Sequence, residues 1–74
     1  MIEKYFLEML TPDNVSVKKE TYIVQDGKEY VVGNPWRRAY INSIQGRNQV
    51  QSEVPEPYKS VIMLMWGEHP TILD

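Results

Sequence analysis

Pro55-Glu56-Pro57-Tyr58-Lys59-Ser60-Val61-Ile62-Met63-Leu64-Met65-Trp66-Gly67-Glu68-His69-Pro70 is the most hydrophobic stretch of the chain, with an unbroken apolar run from Val61 to Trp66. Its reading decides the fold. A continuous apolar run suits either a central strand buried on both faces or an enclosed helix. The punctuation favours a helix near residues 57–66. Pro57 stands at its first position, Glu56 lies near the positive end of the dipole, and Gly67 follows the last turn. Tyr58, Val61, Ile62, Met65 and Trp66 recur at helical spacing, and Met63 and Leu64 widen the apolar arc. Such a helix should be almost surrounded by the rest of the chain.

Working back from it, Val54-Pro55-Glu56-Pro57 ends whatever precedes, because each proline pushes its predecessor out of the α region. The strongest local signal lies further upstream. Asp26-Gly27 separates Val15–Val24 from Lys28–Gly33, and both flanking runs are rich in β-branched and aromatic residues. Asp-Gly between such runs marks a hairpin with a primed turn, since glycine accepts the positive φ required. Gly33-Asn34-Pro35 is expected to close the second strand.

Two segments admit both readings. Ile2, Tyr5, Phe6, Met9 and Leu10 form a helical stripe, whereas the turn sequence Thr11-Pro12-Asp13-Asn14 favours a strand before it. Residues 36–44 can form a helix capped by Asn34, with Pro35 at its first position. They can equally form a third strand, with Ser43 capping a weak helix over residues 44–53. Either way the fold class is α+β. A small antiparallel sheet, comprising the hairpin 15–24/28–33 and one or two further strands, packs on a C-terminal helix near 57–66.

The length of 74 residues fits a single domain, residues 1–74. A domain this small buries only about 60% of its unfolded surface and usually needs a staple. There is no cysteine, and the lone His69 does not make a metal centre, so neither disulfide nor metal is expected. A core of large aromatics, completed by a partner chain, is the remaining device. Charges at Glu3, Lys4 and Glu8 break any leader-like apolar segment, and no run approaches membrane length. A soluble cytoplasmic protein with no membrane association is the expectation.

Charge is unevenly spread. Residues 1–29 carry four lysines against six acids, residues 53–74 one lysine against four acids, and residues 30–52 three arginines with no acid. Catalysis finds little support: His69 sits alone in a turn-like setting, carboxylates are scattered, and the glycines are isolated. No cofactor is implied, and no motif specific to a family is present. The middle third is more informative. Trp36, Arg37, Arg38, Tyr40 and Arg47 are the residue types enriched at the centres of protein interfaces. The expected function is therefore a small non-catalytic interaction or assembly module, with a protein partner or self-association. The alternative is a nucleic-acid-binding accessory protein using residues 36–49, where arginine would meet phosphate and aromatics would stack on bases.

Overall fold

Tight turns return the chain beside itself twice, so residues 2–41 fold as a meander. In the computed structural model, which describes residues 1–73, β1 (Ile2–Glu8), β2 (Asn14–Gln25) and β3 (Lys28–Ile41) form an antiparallel sheet in that order. Helices α1 (Ile44–Glu53) and α2 (Tyr58–Trp66) complete the α+β fold. The hairpin turn is primed as expected: Asp26 and Gly27 have φ of 53° and 77°. Before β2, the Thr11 hydroxyl accepts the N–H groups of Asp13 and Asn14 at 3.1 and 3.0 Å, which tightens the first connection.

Residues 2–8 are a strand, and so is the segment from Trp36 to Ile41. The expected stop at Gly33-Asn34-Pro35 does not occur. β3 runs through it by a bulge: Lys19 pairs with Trp36 and Thr21 with Val32, leaving residues 33–35 opposite Glu20 alone. Gly33 supplies a φ of 71° there. Proline is tolerated because β3 is an edge strand, where an absent N–H need not break a ladder on both sides.

Residues paired across the ladder share a face. Val15, Val17 and Tyr40 occupy one face and are buried against Val50 of α1, Val54, and Ile62 and Trp66 of α2. Tyr5 and Leu7 extend this layer, the Tyr5 ring lying 5.2 Å from that of Tyr58. The opposite face carries no helix.

Helix α1 forms despite a poor composition. The Ser43 hydroxyl accepts the Gly46 N–H at 2.9 Å, and Gly46, Val50 and Val54 turn inward at every fourth residue. Gly46 is required by space, since a Cβ there would lie 1.9 Å from the Ile41 carbonyl oxygen. In α2 the Glu56 carboxylate accepts the Ser60 N–H and hydroxyl at 2.9 and 2.7 Å. These bonds hold its carboxyl below the usual range. The helix is not surrounded, contrary to the sequence reading. Only Ile62 and Trp66 are buried, with Tyr58 and Met63 partly so, whereas Val61, Leu64 and Met65 face outward. With α1 and the sheet against a single side of α2, none of the described residues covers the other.

The lower end of the molecule closes on Asn42, which is fully buried. Its N–H donates to the Asp13 carbonyl at 2.7 Å, and its own carbonyl accepts from Thr71 and Ile72 at 2.9 and 3.0 Å. Its side-chain amide donates to the Pro12 and Trp66 carbonyls at 2.9 and 3.3 Å and accepts from Arg47 at 2.6 Å.

Two substitutions check this packing by urea denaturation. Ile62→Ala should cost about 2–5 kcal/mol, as for a fully buried aliphatic side chain. Gly46→Ala should give a net loss of stability, even though alanine favours a helix interior by about 1 kcal/mol over glycine. A neutral or stabilising Gly46→Ala would show that the first turn of α1 is not seated against Ile41.

Candidate functional site

Strand alternation distributes the five residues singled out by sequence. Trp36, Arg38 and Tyr40 follow one another at every second position on the helix-bearing face, and Arg37 points to the opposite one. Tyr40 is 1% exposed and belongs to the core. Its hydroxyl donates to Glu53 at 2.9 Å, and Arg38 pairs with the same carboxylate at 2.9 Å while lying over the Tyr40 ring. Arg37 meets Glu8 at 3.4 Å across the opposite face. Arg47, on α1, donates to Asn42 and to the Gly67 carbonyl, fastening the lower end of the fold. Trp36 alone of the five keeps a large exposed apolar surface, at 39%. The structure therefore gathers Trp36, Arg38 and Tyr40, and sets Arg37 and Arg47 elsewhere.

Above Trp36 the sheet changes character. The molecule measures 48 × 20 × 20 Å, and the extra length is the distal part of the β2–β3 hairpin. β1 ends its pairing at Ile2 against Tyr22, so the chain beyond is a two-stranded arm. The register continues the helix-bearing face along it through Val32, Ile23 and Tyr30, opposite Thr21, Tyr30 and Ile23 in turn. No helix lies over these residues. Ile23, Tyr30, Val32 and Trp36 are all exposed, forming an apolar row that prolongs the core beyond the helices. The only ion pair on this face of the arm is Lys19 with Glu3 at 3.3 Å, among the described residues.

The opposite face sets paired charges among the exposed Ile2, Phe6, Val24 and Val31. Lys4 pairs with Glu29 at 2.6 Å and lies over the Tyr22 ring, and Lys18 pairs with Glu20 at 3.1 Å and lies over Phe6. The hydrogen bond to Glu29 raises the Lys4 pKa, and bonds from Lys18 and Tyr22 hold the Glu20 carboxyl low. Such exposed pairs contribute little to stability, because water and salt screen them. They do saturate one another's charge.

No family model matches the chain, and no curated protein or solved structure matches it. Among the described residues no pocket opens, no three metal-ligating side chains converge, and no helix is long and apolar enough to cross a membrane.

Sequence reading passed over Ile23, Tyr30 and Val32, as well as Val61, Leu64 and Met65. The alternation Ile23/Val24 and Tyr30/Val31/Val32, apolar on both phases, was the available signal. A half-solvated hairpin should be polar on one phase.

Tyr40 offers a measurable handle on the core. Burial first, then the hydrogen bond to Glu53, pushes its hydroxyl up to about 12 from 10.0. The native state thus favours the neutral ring. Below pH 10 the stability this group contributes is fully present. Between 10 and 12 the unfolded chain releases the proton first and stability falls, by at most ~1.4 kcal/mol per pH unit. Urea midpoints of Tyr40→Phe should decline less steeply with pH across that window than those of the parent. Parallel slopes would place the phenol outside the linkage.

Proposed function

We propose that the chain is a small non-catalytic interaction module that engages a protein partner through the helix-bearing face of its arm. One observation carries the reading: Ile23, Tyr30, Val32 and Trp36 are exposed apolar residues in a row on one face of the sheet, running from its three-stranded part at Trp36 and Val32 onto the two-stranded hairpin tip at Ile23 and Tyr30. A lone two-stranded hairpin is only marginally stable in water, and an apolar face on it is stabilised when something covers it. Aromatic anchors such as Trp36 and Tyr30 are the side chains that supply most binding energy at interface centres.

Nucleic-acid binding is the weaker reading. Arg37 and Arg38 already meet Glu8 and Glu53, and Arg47 is engaged by Asn42 and the Gly67 carbonyl. That leaves little unpaired positive charge to displace counterions from phosphates.

A photo-crosslinking phenylalanine analogue at Tyr30 should give adducts with protein in native extract, whereas the same group at Arg37, on the paired-charge face, should give none. Equal labelling from both faces, or none from Tyr30, would overturn the assignment. In parallel, a short fluorescent oligonucleotide should show no binding at low salt. Binding that falls steeply as salt rises would transfer the arm to the nucleic-acid reading.

A further inference from the structure

On the helix-bearing side of the sheet the arm's apolar row is matched by a second uncovered apolar surface. It is the outward arc of α2. Val61, Leu64 and Met65 are adjacent on the helical wheel, turned away from the Tyr58–Ile62–Trp66 stripe, and Leu64 is 85% exposed. Their dimensions correspond. From Lys19 to the turn at Asp26, past the buried Val15 and Val17, the stretch of sheet without helices is about 23 Å long, at ~3.3 Å per residue. The helices of 10 and 9 residues are about 15 and 14 Å long, at ~1.5 Å per residue. The helix layer thus covers about the lower half of its own sheet and leaves an upper half of suitable size for another such layer.

Resting on the reading of the arm as an interaction surface, we infer that the occupant is a second copy of this chain. Two copies face each other with their helix-bearing sides inward and their arms pointing in opposite directions. Each pair of helices then fills the space above the partner's arm. The result is a sheet–helix–sheet sandwich with one shared helical layer, closed by a two-fold axis. Leu64, Val61 and Met65 of each copy meet Ile23, Tyr30 and Val32 of the other.

Three further observations support this arrangement. The chain exposes 5172 Å², whereas a compact monomer of its mass exposes about 4,700 Å². Its radius of gyration is 14.2 Å, against about 11 Å for a compact chain of this length. Both excesses follow from the projecting hairpin, and they leave surface that a second copy can cover. Charges also correspond: Lys28, at the arm tip on the helix-bearing face, and Glu68, just beyond α2, have no ion-pair partner among the described residues. The antiparallel arrangement brings the tip of one arm to the C-terminal end of the other copy's α2, so each Lys28 approaches a Glu68. Strand addition at β3 is disfavoured, because its outer edge is broken by the bulge and Pro35.

Sedimentation equilibrium of the full chain should show a dimer. Leu64→Glu and Val32→Lys, both at exposed positions, should each weaken it by roughly 100-fold or more, since each forces a charge into an apolar contact twice per dimer. Their circular dichroism should match the parent's. Mixing the two variants should restore a heterodimer, because one contact then sets the introduced carboxylate against the introduced ammonium and the other contact is unaltered. A parent that stays monomeric at millimolar concentration overturns the self-association, while crosslinks from Tyr30 to a different protein would leave the interaction reading standing. Loss of both overturns both. A dimer indifferent to Leu64→Glu, or one that fails to reform on mixing, rejects the reciprocal arm–helix contact.

Discussion

The fold depends on the burial of one amide. Asn42 offers two backbone and three side-chain hydrogen-bonding groups, and together they find partners in four different parts of the chain. The turn before β2, the start of α1, the end of α2 and the segment after it all converge there. A neutral asparagine suits the position because it donates and accepts at once. Aspartate could still receive Arg47 but would lose the donations to the Pro12 and Trp66 carbonyls, and a buried group left unsatisfied costs about 1–3 kcal/mol. In a domain with no disulfide, this convergence of local bonds does what a covalent staple does in other small scaffolds.

With the lower end fixed in this way, the helices are held over Val15, Val17 and Tyr40 and cannot slide along the sheet. The consequence is an asymmetric molecule. One half is layered and shielded from water, and the other is sheet without helices that ends in a two-stranded tip beyond Tyr22. The two faces of that sheet differ in charge: the face away from the helices sets paired lysines and glutamates among exposed Phe6, Val24 and Val31, whereas the helix-bearing face of the arm carries Lys19 with Glu3 beside Ile23, Tyr30, Val32 and Trp36. Single exposed apolar residues are common on any protein, and a row of them with little charge among it is what marks an interaction surface.

Much of the architecture was legible in the residues. Asp26-Gly27 announced its turn, and Pro57 and Gly67 bracketed α2 where the chain's most apolar run lies. Other elements were decided by partners that sequence does not display. The helical stripe at residues 2–10 gave way to pairing with β2, which puts Tyr5 and Leu7 inward and leaves Phe6 beneath Lys18 on the charged face. Asn34-Pro35 resembled a helix start, but the edge position of β3 allowed a bulge instead. The five-residue candidate surface was drawn by closeness along the chain. In a strand that closeness is misleading, because neighbours such as Arg37 and Arg38 point to opposite sides. The exposed arc of α2 was hidden for a different reason: an apolar arc signals burial, and sequence does not say whether the cover belongs to the same molecule.

The bulge opposite Glu20 divides the β2–β3 ladder into two registers, while β1 stays paired with β2 across it. Above it the strands are matched by the turn at Asp26-Gly27, and below it by Asn42 and the core; the surplus residues between Gly33 and Pro35 take up the difference. A bulge bends its strand and increases the local twist. β3 therefore bends where the covered face gives way to the uncovered one, and that bend sets the direction in which the hairpin tip leaves the base.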